Sequence, residues 1–71
     1  MIENIRIGTI IIDLDKYGIV TSIVQSGSWS NDSLRLSKTF EIKYLDGVLS
    51  MMSEKTLKRL LDGGQIVVVS Y

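Results

Sequence analysis

Residues 39–53 read TFEIKYLDGVLSMMS, and they decide the fold class because strand pattern, turn chemistry and register are legible in them together. Phe40, Ile42 and Tyr44 alternate with Thr39, Glu41 and Lys43 in the period of two of a half-buried strand. Asp46-Gly47 follows and suits a two-residue type I′ turn, which needs positive φ at both central positions and matches the twist of the arms it joins. Such a turn predicts Leu45 opposite Val48, Tyr44 opposite Leu49, Ile42 opposite Met51 and Phe40 opposite Ser53. The apolar faces of the two arms then meet, and a slip of one residue would ruin both. Of the adjacent pair Met51-Met52, one side chain must leave the core, and this register sends Met52 outward.

Upstream, Thr9 to Leu14 is rich in β-branched residues and reads as the first full strand, with Ile10, Ile12 and Leu14 on one side and Ile11 and Asp13 on the other. Ile2, Ile5 and Ile7 alternate loosely ahead of Gly8, as a short approach strand or tail. Acidic turn formers and Gly18 close the first strand, and the chain resumes as strand at Ile19 to Gln25. There Val20 and Val24 keep one phase while Ile19 and Ile23 keep the other, which points to a bulge near Thr21-Ser22. Ser26 to Ser33 holds four serines, Gly27, Asn31 and Asp32, the chemistry of a loop, with Trp29 in its middle. Leu34 and Leu36 lead into the strand that Phe40 makes plain.

Downstream, Ser53 is a good N-cap, since its hydroxyl can accept from a free amide of the first helical turn. Leu57, Leu60 and Leu61 recur at helical spacing, Glu54 opens and Lys58 and Arg59 close the segment, and Gly63-Gly64 offers a left-handed stop. Gln65 to Tyr71 is a final strand whose run Ile66 to Val69 calls for burial on both sides or an edge that pairs with something.

The whole chain of 71 residues is one domain, small enough that an unaided core supplies only about 3–5 kcal/mol. It has neither cysteine nor histidine, so no disulfide or structural zinc can assist. Tight closure of the sheet or self-association is what remains. Eight basic residues balance eight acidic ones, which removes the broad positive field of a typical nucleic-acid binder. The apolar runs are far shorter than a membrane span, and no basic, apolar leader opens the chain, so a soluble intracellular, cytoplasmic protein is expected.

Gly8-Thr9-Ile10-Ile11, Tyr17-Gly18-Ile19-Val20, the aromatic strand ending in Asp46-Gly47 and a leucine-bearing segment before the last strand come in a familiar order. That order resembles the SH3-like and Tudor-like small β-barrels common among bacteriophage and bacterial proteins. The resemblance implies a mainly β fold, a small SH3-like barrel of about five strands with one short α-helix before the last strand. It also implies a non-catalytic binding or assembly module that presents loops to a peptide, a nucleic acid or a neighbouring subunit. The helix over Ser53 to Leu61 is longer than the single 3-10 turn usual at that place in such barrels.

Catalysis is not expected, because the commonest general base and the best thiol nucleophile are both missing. Asp13-x-Asp15 with Gly18 echoes a calcium loop, yet Tyr17 falls at the fifth position, where Asp or Asn is wanted, and Val24 at the twelfth, where a bidentate Glu belongs. No cofactor or metal is expected. For binding, Trp29 either folds back over the barrel or anchors a partner together with Tyr17, since tryptophan is enriched at interface hot spots. Met52, Val67 and Val69 are the candidates for a contact between copies of the chain, the first expected partner. The alternative is a nucleic-acid face built from Arg35, Lys38, Lys43, Lys58 and Arg59, which would need clustering to contact phosphates.

Overall fold

A computed structural model describes residues 2–71. The protein is mainly β, with five antiparallel strands in one sheet and one short helix. In chain order these are β1 (Ile10–Asp13), β2 (Lys16–Ser30), β3 (Ser33–Tyr44), β4 (Leu49–Ser53), α1 (Glu54–Asp62) and β5 (Ile66–Ser70). The spatial order is β4-β3-β2-β1-β5. Ladders join each neighbouring pair, but none joins β4 to β5 among the described residues. The expected closed barrel is therefore not formed. Instead α1 lies against one face of the sheet and touches β3, β4 and β5, so a helix covers the gap that barrel closure would have sealed.

The helix begins as its sequence requires. The Ser53 hydroxyl accepts from the Thr56 amide at 3.2 Å, and Gly64 leaves the C-terminus at φ +80°. Leu57 is buried, with Leu60 and Leu61 packed at its flanks. The covered face of the sheet supplies Ile11, Val20, Phe40, Ile42, Tyr44 and Ile66, and Ile5 joins them from the N-terminal segment. That segment is a 3-10 turn at Ile2–Asn4, not a strand. On β1 it is Ile11, fully buried, that faces the core, and Ile10 that faces out.

A shift between Val20 and Ser22 leaves Thr21 unpaired, the bulge expected there. It changes the phase of β2, so that Val20 before it and Ile23 after it both turn inward. The Thr21 hydroxyl bonds to Glu41 Oε1 at 2.9 Å.

The hairpin joining β3 to β4 differs from expectation by one residue. Lys43 pairs with Leu49, Ile42 with Ser50, Glu41 with Met51 and Phe40 with Met52. Its loop is Leu45-Asp46-Gly47, in which the Gly47 amide donates to the Tyr44 carbonyl at 2.9 Å and Gly47 sits at φ +91°. This is a type I turn followed by a left-handed residue, the common three-residue hairpin loop. Asp46 favours it because its carboxylate accepts from the Val48 amide at 3.0 Å. The slip exchanges the methionines: Met52 packs against the core and Met51 stands 62% exposed on the outer face.

The largest departure lies in Ser26 to Ser33, expected as a loop. Strands β2 and β3 continue through it to a two-residue turn at Asn31-Asp32, with φ of +50° and +62°. The type I′ turn of this chain is here, at a dipeptide that tolerates the left-handed region. Residues 25–38 thus form a two-stranded ribbon beyond the body, and the molecule reaches 43 Å in its longest dimension.

Candidate functional site

The pleat of the sheet puts Ile10, Tyr17, Ile19, Lys43, Leu45, Leu49, Met51, Val67 and Val69 on the face away from α1. The cross-strand pairs Ile10–Ile19, Ile19–Lys43, Lys43–Leu49 and Ile12–Val67 fix this arrangement. A register shift between Ile10 and Ile11 displaces the ladder beside Val69. Ile10, Tyr17, Ile19, Leu45, Leu49, Met51, Val67 and Val69 are all exposed. Ile10, Tyr17, Ile19, Leu45 and Val69 border an open cleft of ≈ 560 Å³, and Lys43 is the one charged side chain among the residues lining it. Isolated apolar residues on a surface are ordinary, but a contiguous apolar sheet face is not.

The backbone beneath the cleft is held firmly. The Leu45 amide donates to the Tyr17 carbonyl at 3.0 Å, tying the β3–β4 loop to the start of β2. Lys16 Nζ lies 3.2 Å from Asp46 Oδ2 across the same junction. The Val48 amide and Lys16 together hold the Asp46 carboxyl below its ordinary range. On the other side of the sheet, the Tyr44 hydroxyl donates to Asp13 Oδ2 at 2.7 Å. Burial first, then that bond and the negative charges of Asp13 and Asp46, push the Tyr44 phenol well above its usual range. Gln65 Nε2 donates to the other Asp13 oxygen at 3.2 Å. This aspartate therefore joins strands and does not open into a pocket.

Of the residues singled out from sequence, Tyr17, Val67 and Val69 come together on the outer face, each at least half exposed. Met52 does not join them, for the register reason given above. Trp29 is 74% exposed but stands on the distant ribbon, twelve residues along the same strand. At roughly 3.3 Å per residue, Tyr17 and Trp29 are some 35 Å or more apart and cannot form one patch. The basic residues do not gather either. Arg35 and Lys43 share the outer pleat at positions eight apart, Lys38 points to the opposite pleat, and Lys58 and Arg59 sit on the helix behind the sheet. Among the described residues no group of three or more potential metal ligands occurs, and no helix is long and apolar enough to cross a membrane.

Sequence reasoning missed Ile10, Ile19, Leu45, Leu49 and Met51 as site residues. The signal was present in Ile10-Ile11-Ile12, where three successive isoleucines in a strand must place apolar groups on both faces. Comparison with known proteins finds no matching family model, no matching curated protein and no matching solved structure.

Proposed function

We propose that this chain is a non-catalytic assembly module whose working surface is the apolar outer face of its sheet. One observation carries the reading: the cleft bordered by Ile10, Tyr17, Ile19, Leu45 and Val69 lies on the side of the sheet that α1 leaves uncovered. A sheet with one face on its core normally turns polar residues to water on the other. Here the second face carries eight exposed hydrophobic side chains around Lys43 and Glu41, which suits contact with another protein surface, first of all a second copy of the chain. The small core strengthens this reading, because association adds burial to what a chain of 71 residues supplies alone.

The strand order and the helix before the last strand support kinship with the SH3-like barrels, in a form that leaves the sheet open with the helix in the gap. A nucleic-acid role is less well supported, because the basic residues are divided between the two sides of the sheet.

Sedimentation of the native chain and of Ile19→Lys at low and high salt tests the reading. Association through the apolar face survives high salt and is lost in the variant. Titration with duplex and single-stranded DNA runs alongside. Binding that fell steeply with salt, together with association indifferent to Ile19→Lys, would reverse the assignment.

A further inference from the structure

The ribbon is a second unpartnered apolar surface, and its pattern is regular. Trp29 pairs with Leu34 and Gly27 with Leu36, all on one side of the pleat, while Ser30–Ser33, Ser28–Arg35 and Ser26–Ser37 occupy the other. The leucines close over Gly27, where an added Cβ would lie 3.1 Å from a Leu34 methyl and 3.2 Å from a Leu36 methyl. Trp29, Leu34 and Leu36 thus make one exposed apolar strip, backed by serines. Neither β1 nor β4 pairs with the strands here, and a lone two-stranded ribbon is marginally stable in water. A ribbon of this length with one apolar face needs something to lie on.

We infer that the ribbon of one copy docks its Trp29, Leu34 and Leu36 strip into the outer-face cleft of the next copy, bordered by Ile10, Tyr17, Ile19, Leu45 and Val69. The inference rests on the reading of that face as an interface and adds what fills it. The ribbon cannot fill the cleft of its own chain, because Trp29 lies ten residues along the same extended strand from Ile19. Area agrees with the match. The chain exposes 5003 Å², roughly 550 Å² more than the ~4,450 Å² expected for a compact fold of its mass. That surplus is close to the ~600 Å² that each partner contributes at the lower end of specific interfaces.

Tip and cleft are different patches, so two copies can exchange tips about a two-fold axis, each tip in the other's cleft, or further copies can add until a ring closes. The smallest closed assembly is a dimer in which both tips and both clefts are filled.

Two variants test this. The tip variant Trp29→Ser/Leu36→Ser changes only exposed residues, and the cleft variant Ile19→Lys changes the outer face; circular dichroism verifies that both fold. Each alone should have the mass of one chain, 8.0 kDa, while their equimolar mixture should have the mass of two, because one sound tip and one sound cleft remain. Trp29 is the single tryptophan, so all indole fluorescence in the mixture comes from the cleft variant, and it should shift to the blue on mixing. A tip variant that associates like the native chain, or a mixture that stays monomeric, would each overturn the docking while leaving the outer face as an interface. A native chain that is monomeric at every concentration would remove both.

Discussion

The Tyr44 hydroxyl on β3 reaches across β2 to Asp13 on β1, and it can do so because Gly18 lies between them without a side chain. Gly18 pairs with Tyr44 on one side and Ile11 on the other, and the Tyr44 ring covers the place where its Cβ would stand. The hydroxyl then donates to Asp13 Oδ2 at 2.7 Å. An aromatic lying over a cross-strand glycine pins register, and here it also joins three strands below the outer-face cleft.

Tyr44→Phe keeps the ring and removes the bond. A hydrogen bond to a charged group contributes about 1.5–3 kcal/mol, and Asp13 keeps its bond from Gln65, so a loss of about 1–2 kcal/mol is expected in urea unfolding. Unchanged stability would mean that the strut contributes nothing.

The same residue gives a pH signature. The folded state raises the Tyr44 pKa above the ordinary phenol value of 10.0, so the fold holds that proton more tightly than the unfolded chain does. Its contribution is complete below about pH 10 and is lost as pH climbs through the higher folded value. Native protein should lose more stability than Tyr44→Phe between about pH 9 and pH 11.5. Parallel declines would contradict the coupling. Asp46 has the opposite sign: its pKa is lowered, so its contribution is present above the ordinary carboxyl value of 3.8 and drains as pH falls.

Gly18→Ala and Gly47→Ala should fail for different reasons. At Gly18 the new methyl would lie 2.8 Å from Ile42 Cγ2 and 3.1 Å from the Tyr44 ring, an overpacking that costs about 1–3 kcal/mol. At Gly47 the space is open but φ is +91°, so the cost, about 1–2 kcal/mol, is backbone strain alone. Replacing Tyr44 by Leu should relieve part of the first cost and none of the second, a difference that double-mutant unfolding curves will read.

Leu14 occupies the left-handed region at φ +59° in the β1–β2 turn and is 74% exposed. Leucine tolerates that conformation poorly, and little burial compensates it. Leu14→Asn should raise stability by about 0.5–1 kcal/mol in thermal or urea unfolding. A loss would show that the leucine makes a contact in the assembled protein.

Much of this architecture could be read from residues. The Phe40-Ile42-Tyr44 alternation, the Ser53 cap with its leucine spacing and the change of phase between Val20 and Ile23 each carry a local physical signature, and each element formed where that signature lay. Register at Asp46-Gly47 was not legible, because the same dipeptide suits both a two-residue and a three-residue loop, and the choice follows from the Asp46 bond to the Val48 amide. The ribbon was obscured by its serines. Their weak strand preference hides a period of two that appears once Trp29 is set opposite Leu34 and Gly27 opposite Leu36. Closure of the sheet depends on how α1 sits against three strands, a tertiary balance that no single stretch records. The site was half legible: Tyr17, Val67 and Val69 were marked, but the isoleucines of β1 and β2 read as core until the pleat divided them between two faces.

The central claim, that the outer face of the sheet is an interface, is tested most directly by the solution mass from light scattering across a dilution series. The account predicts a mass that stays at a multiple of 8.0 kDa, two or greater, over the concentrated part of the series. A mass of 8.0 kDa at every concentration would contradict it.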